Sequence, residues 1–435
     1  MKQIIYITAL LAVLLSAGGG RAQDLDSYLQ EAGRNHPGIQ AAWKEYYAAL
    51  EQVPQAGALP DPQLSLGYFI SPVETRLGPQ QFKVSLSQMF PWFGTLNEKQ
   101  QAAAERARVK YQQFAEKRNA VYKQIRVQWY SLYKTRQAIE ITQENIGILE
   151  SLKSLTRRNY ENDKGRMAEL LRIDVNIREQ QNKLGDLREQ LATQRTDFNL
   201  LLNRQAGDSL KAPGTIQPDT FNIMAYRDSL GTHPELTALE HKEAALKHQV
   251  EAERKKGYPS ISLGLDYAVI GQRQDMQVAD NGRDVIMPMI GISLPLYRKK
   301  YDAMVKETRF RLEAIQAKQQ EKQNTLSSQY KKAEEAYKEA LRHIDLYTKQ
   351  VRETERIYNL LKTSYSADGE SFFEVLRTRL LVQEYQLKLE KARADRNIAV
   401  ARLQYLTGPN NPAGNTPGSR KEVVKDQEKF IQKNR

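Results

Sequence analysis

Side chains that readily do chemistry are few in this 435-residue chain: it has five histidines and no cysteine. A thiolate nucleophile, a disulfide and a thiolate metal site are therefore excluded. Two histidines share a context, His36-Pro37 and His233-Pro234. Such a pair could ligate a metal. Each, however, precedes a proline suited to the first helical position, where the missing N–H costs nothing and the fixed φ is already helical. They are read as two helix starts, and no metal site or cofactor is expected. No Gly-rich phosphate loop and no acidic cluster accompanies them, so nothing assembles a catalytic constellation, and no enzymatic activity is expected.

The elements that position these histidines repeat. His36 and His233 are 197 residues apart, and the same offset relates Pro62 to Pro259 and Gly67 to Gly264. Further echoes follow in order: Phe90-Pro91-Trp92-Phe93 with Leu294-Pro295-Leu296-Tyr297, a turn at Tyr160–Gly165 with one at Tyr365–Gly369, and Glu169-Leu170-Leu171 with Glu374-Val375-Leu376. A duplicated unit is expected, each copy running helix, strand, loop, strand, long helix, tight turn, helix. The expected organisation is a signal peptide over 1–22, a first repeat over 23–204, a linker over 205–222, a second repeat over 223–408, and a basic, flexible tail over 409–435.

The signal peptide rests on Lys2, an apolar run from Ile4 to Ala17, and small residues before a cleavage point after Ala22. That run is too short for a membrane-spanning helix. No later stretch is apolar enough either, and no cysteine is present to carry a lipid anchor, so a membrane span would have to be β-structure. The net charge of +13 is spread among Glu and Gln along helical stretches and is read as solvated helix faces, not as a nucleic-acid surface.

Four segments alternate as strands. Leu64, Leu66, Tyr68 and Ile70 oppose Ser65, Gly67 and Phe69, while Phe82, Val84 and Leu86 oppose Lys83, Ser85 and Ser87. In the second copy Ile261, Leu263, Leu265, Tyr267 and Val269 oppose Ser262, Gly264, Asp266 and Ala268, and Ile290, Ile292, Leu294 and Leu296 oppose Gly291 and Ser293. One greasy face and one small or polar face is the pattern of a transmembrane barrel. Barrels begin at about eight strands, so two, three or four copies would have to share one. Ser71–Pro79 and Gly271–Asp284 are expected to be the loops outside the membrane.

From Thr95 to about Asn159 and from Lys299 to about Ser364 there is no proline and almost no glycine. Each stretch can form one helix of about 65 residues, about 100 Å long. The second carries a seam at steps of three and four from Tyr330 through Ala333, Tyr337, Ala340, Ile344, Tyr347, Val351, Thr354, Tyr358 and Leu361 to Tyr365; the first has Ile125, Leu132, Ile139 and Ile146 at sevens. Ala, Thr and Tyr where a zipper would have Leu point to packing among several neighbours. Shorter return helices are expected over Arg166–Asn203 and Glu370–Leu406.

With these features together, the chain resembles the TolC family of outer-membrane efflux channels over essentially the whole length from Asp24 to Gly408. Ser87-Gln88-Met89-Phe90-Pro91-Trp92-Phe93-Gly94 is most similar to the heavy-metal exporter branch of the CusC and CzcC kind. The resemblance implies a mainly α fold with transmembrane β: long periplasmic helical hairpins forming an α-barrel, and four strands per chain contributed to a shared twelve-stranded β-barrel in a homotrimer. It implies an outer-membrane channel that works with a periplasmic adaptor and an inner-membrane pump, RND-type first, exporting small molecules or ions. A periplasmic adaptor or a structural coiled coil without a barrel is the alternative. By the same resemblance Glu374 matches an acidic residue ringing the periplasmic aperture, and Asp368 falls in the same region. The next matched position is Arg377, which departs from the family's second acid and suggests a Glu–Arg pairing. Adaptor docking is expected at the hairpin tips, through Tyr160, Asp163, Gly165 and Arg166 and through Tyr365, Gly369 and Glu370.

Overall fold

A computed structural model of the chain describes residues 23–163, 165–218, 227–367 and 371–407. The expected signal peptide, the tail over 409–435 and the end of the linker lie outside the described residues. The first half runs α1 (Gln23–Asn35), α2 (Pro37–Gly57), β1 (Gln63–Thr75), β2 (Gly78–Phe90), α3 (Thr95–Glu161) and α4 (Met167–Leu201). After a 3-10 turn at Arg227–Thr232, the second half runs α5 (Pro234–Lys256), β3 (Ser260–Ile270), β4 (Val285–Ser293), α6 (Arg298–Ser366) and α7 (Phe372–Leu406).

Both histidine–proline pairs stand at helix starts. The Gly38 backbone N–H donates to His36 Nδ1 at 3.1 Å, so the imidazole caps an amide that the first turn of α2 leaves without a helical partner. His233 is buried with its ring edge-on to Tyr405. Burial and the nearby Lys117 charge hold the His36 imidazole below its ordinary pKa, consistent with a neutral cap.

Two compact units emerge, and each draws on both halves of the sequence. One comprises residues up to Ala41, Phe114–Pro234 and residues from Gln323; among the described residues the other comprises Ala42–Gln113 and Glu235–Lys322.

The second unit carries a four-stranded antiparallel sheet in the order β1-β2-β3-β4. Its register lines up the alternation seen in the sequence. Leu66 pairs with Val84, Val84 with Tyr267, and Tyr267 with Ile286, giving one apolar row; Ser65 pairs with Ser85 and Ser85 with Asp266 in the neighbouring row on the opposite face. The apolar row covers no core: Leu66 is 66 % exposed, Ile70 92 % and Ile290 75 %. On the other face Lys83 forms an ion pair with Asp266. The first connection differs from the expected Ser71–Pro79 loop. Pairing continues through Val73–Gln80, Glu74–Pro79 and Thr75–Gly78 after an irregularity between Tyr68 and Val73, leaving Arg76-Leu77 as the turn, with Gly78 at φ +131° to permit it. Pro72 falls on edge strand β1 within that irregularity, where a missing N–H forfeits no ladder bond, and Pro79, at the start of β2, still accepts through its carbonyl from Gly271 N at 2.7 Å. The second connection runs from Gly271 to Asp284, between β3 and β4.

In the same unit α5 is clasped to α3. His248 Nδ1 lies 2.9 Å from Glu98 and His241 Nδ1 2.8 Å from Glu105, while Lys255 reaches Glu98 at 3.0 Å. Hydrogen bonds from His248 and Lys255 hold the Glu98 carboxyl below the usual carboxylate range.

The first unit is helical. α3 spans 67 residues and α6 69, each about 100 Å at 1.5 Å per residue. Every seam residue of α6 from Tyr330 to Tyr365 is buried or half-buried. In α3 the reading at sevens holds for Ile125 and Leu132, whereas Ile139 and Ile146 are only half-buried; Thr135, Thr142, Asn145, Leu149, Leu152 and Thr156 fill the buried stripe instead. Among the described residues no helix is long and apolar enough to cross a membrane.

Sheet polarity can be checked by substitution. Leu66→Arg, in the apolar row, should destabilise the protein in lipid vesicles by about 2–4 kcal/mol in a denaturant titration, whereas Ser65→Arg on the opposite face should cost far less.

Candidate functional site at the hairpin tips

Two turns close the hairpins. At the first, α3 ends at Glu161; Asp163 donates its backbone N–H to Tyr160 O at 3.1 Å and adopts φ 60°, the left-handed conformation that reverses the chain. Gly165 then passes close to the end of α3, since a Cβ there would meet Tyr160 N at 3.1 Å. Arg166 caps α4 in extended conformation, and its carbonyl accepts from Glu169 N at 2.9 Å. Tyr160 and Arg166 are exposed. These four expected docking residues therefore share one short turn.

The second turn follows α6. Asp368, Gly369 and Glu370 lie outside the described residues. Ser371 opens α7, its side-chain Oγ accepting from Phe373 N at 3.3 Å, the N-cap arrangement. Tyr365 is buried and its hydroxyl meets Thr156 Oγ1 at 3.3 Å, so it supports the tip from within. Glu374 sits in the first turn of α7, where a negative charge also complements the helix dipole. Its Oε1 lies 4.0 Å from Arg377 Nη1, and both side chains are open to solvent. At that distance and exposure the pair contributes little to stability.

Behind the tips all four long helices meet in one core: Leu149 and Leu152 of α3, Ile173 and Ile177 of α4, Tyr358 and Tyr365 of α6, and Phe372, Val375, Leu376 and Val382 of α7. The Glu169-Leu170-Leu171 and Glu374-Val375-Leu376 echoes thus fall at equivalent helix starts, with Leu170, Val375 and Leu376 turned inward. Arg172 of α4 lies over the Phe373 ring at 5.3 Å, a contact between the two hairpins.

A buried polar layer beside this core escaped the sequence reading. Arg379 Nε donates to Asn145 Oδ1 at 2.8 Å, Asn145 Nδ2 donates to Gln383 Oε1 at 2.9 Å, and Gln383 Nε2 donates to Gln180 Oε1 at 2.8 Å. The chain crosses α7, α3 and α4. Arg379 is 3 % exposed, its guanidinium carbon lies 5.7 Å from the Tyr358 ring, and burial lowers its pKa. The available signal was Asn145 at a seam position between Thr142 and Leu149, because a lone polar residue in a helical seam fixes register at a cost in stability.

The expected linker is tied down over its described part. Arg136 and Gln137 donate to the carbonyls of Ala212 and Gly214 at 2.6 and 3.1 Å, and Asn397 Nδ2 to that of Gln217 at 2.9 Å.

A family model described as outer membrane efflux protein matches residues 28–204 and 225–409. The chain belongs to this family. No curated protein matches it by sequence. Its fold is shared with solved structures at low identity. The outer membrane protein VceC of Vibrio cholerae matches at a TM-score of 0.75 and 15% identity, covering 89% of this chain and 96% of that one. The Campylobacter jejuni CmeC outer membrane channel matches at 0.74 and 14%, covering 93% and 89%, and CusC at 0.75 and 16%, covering 89% and 92%. The family places the protein in the outer membrane with a large periplasmic portion, as the channel of a tripartite efflux system.

Removing one member of the buried layer should be costly. Asn145→Leu strands the Arg379 charge and is expected to destabilise the detergent-solubilised protein by about 3–5 kcal/mol in a urea titration followed by helical circular dichroism. Arg379→Met, which leaves no buried charge, should cost less than half as much.

Proposed function

We propose that three copies of this chain close one twelve-stranded barrel, with α3, α4, α6 and α7 of each copy forming a twelve-helix periplasmic tunnel. One observation carries this reading: the sheet has two open edges, β1 and β4, and an uncovered apolar face. In hydrocarbon each unpaired edge group costs several kcal/mol, so the strands must close against other copies. Two copies would give eight strands and an interior filled by side chains; three leave a lumen. Exposed apolar residues at helical spacing, Met167, Leu171 and Val175 on α4 and Ile357 and Leu360 on α6, are faces that neighbouring helices would cover. The two repeats, 23–204 and 223–408, are copies of one unit, which gives each protomer two hairpins and four strands.

In this reading the turn bearing Tyr160, Asp163, Gly165 and Arg166 docks a periplasmic adaptor, together with Gly369 and Glu370 of the second turn, and the adaptor joins the channel to an inner-membrane pump of the RND type. Small molecules or ions cross the lumen by diffusion, and the pump sets selectivity. Glu374, answered by Arg377, lines the periplasmic aperture. The protein itself catalyses no reaction.

The mass of the unheated, detergent-extracted protein, measured by light scattering corrected for bound detergent, is expected to be that of three chains; a monomer that stays soluble without detergent would overturn the channel assembly. For the aperture, Glu374→Ala should weaken cation preference and raise conductance in planar bilayers. Unchanged conductance and ion preference would remove Glu374 from the gate.

A further inference from the structure

Where the strands hand over to helices, the chain is unusually basic and aromatic. Arg254-Lys255-Lys256 ends α5 just before β3, and Arg298-Lys299-Lys300 opens α6 just after β4. Trp92, between β2 and α3, stacks on Tyr258 with centroids 5.2 Å apart and ring planes 25° from parallel. These two rings flank a cavity of about 320 Å³ that is also lined by Lys99, Lys255, Lys256 and Lys300. Two of the four charges are answered: Lys255 pairs with Glu98 at 3.0 Å and Lys256 with Glu253 at 2.8 Å. Lys99 and Lys300 form no ion pair among the described residues, so the cavity keeps a positive surplus. Thr95, at the first turn of α3, lines the same cavity; it is 2 % exposed and its hydroxyl has no hydrogen-bond partner among the described residues. Lys300 lies over the Tyr301 ring at 5.7 Å but has no counter-charge among the described residues, and a buried hydroxyl beside lysines without ion pairs fits a charged acceptor.

We infer that this cavity holds the phosphate of an anionic glycerophospholipid from the periplasmic leaflet of the outer membrane. The surroundings select a lipid over a free anion. Phe93, Leu294 and Leu296, each next in sequence to a lining residue, are exposed, and the apolar strand rows begin at the same end of the sheet. Acyl chains lie against them while the headgroup meets the lysines. Trp and Tyr at such a boundary are favoured because one end of each ring is apolar and the other wet, and basic residues beside them draw anionic headgroups. The leaflet assignment rests on the channel reading above, in which the helix-joined strand ends face the periplasm.

The test uses the full-length detergent-purified protein in native mass spectrometry, titrated with dioleoyl phosphatidylglycerol or dioleoyl phosphatidylcholine. One phosphatidylglycerol per chain is expected to bind at least roughly tenfold more tightly than phosphatidylcholine, and Lys99→Gln/Lys300→Gln should weaken it roughly ten- to thirtyfold, the effect of two lysines at an anionic surface. Phosphatidylcholine binding and the oligomeric mass should not change, nor should a control pair remote in sequence on α6, Lys318→Gln/Lys332→Gln, weaken binding. Equal affinity for the two lipids, an equal loss in the control pair, or displacement by equimolar inorganic phosphate would overturn the site. If neither lipid binds, the site is overturned, while the channel reading still stands or falls on the mass of the detergent-extracted protein.

Discussion

A backbone N–H or C=O in hydrocarbon finds no water, so every such group on a membrane strand must bond to another strand. This chain supplies four strands, of which β2 and β3 are flanked on both sides and β1 and β4 only on one. Much else depends on closing those two edges. Among the described residues no helix is long and apolar enough to cross a membrane, and the exposed apolar rows lie on the sheet. In the proposed assembly, sharing the edges among copies couples barrel size to copy number, and copy number fixes how many helical hairpins stand in the tunnel.

The hairpins show how long helices can pack without a leucine zipper. Their buried stripes are threaded with Ala, Thr, Tyr and Asn, which suits helices that contact several neighbours over narrow faces. Such packing is weak per turn and permissive of sliding. The chain of hydrogen bonds through Arg379, Asn145, Gln383 and Gln180 opposes sliding, because any shift of one helical turn would strand a buried guanidinium. Register is thereby set by polar groups beside the apolar core of the tips.

Charge is handled differently in the second unit. There α5 is tied to α3 by an ion pair, Glu98 with Lys255, and by hydrogen bonds of Glu98 with His248 and of Glu105 with His241. Lys83 and Asp266 pair on the polar face of the sheet, so that face keeps its charges neutralised while the apolar rows stay free of them. The same unit concentrates Trp92, Tyr258 and the basic triplets at one rim, the composition expected where protein passes from hydrocarbon to headgroups.

Much of this was legible in the order of residues. The proline-free runs marked α3 and α6 to within two residues at each end, because an uninterrupted helix needs only the absence of breakers; the period-two alternation marked β1, β2 and β3, because side chains on a strand must alternate, but was placed too late for β4, which starts at Val285 and ends at Ser293, before Leu294 and Leu296; and His36 and His233 marked helix starts through the proline that follows each. What the sequence could not decide was set by neighbours. Whether Ser71–Pro79 loops or pairs depended on the partner ladder, whether Ile139 or Thr142 faced inward depended on which helices lay alongside α3, and Tyr365, read both as the end of the α6 seam and as a docking residue of the tip, is buried because Thr156 and Phe372 close over it. Local conformation follows from bonds within a few residues and is written in their order. Burial follows from surfaces brought together across hundreds of residues, and only the folded chain determines which ones meet.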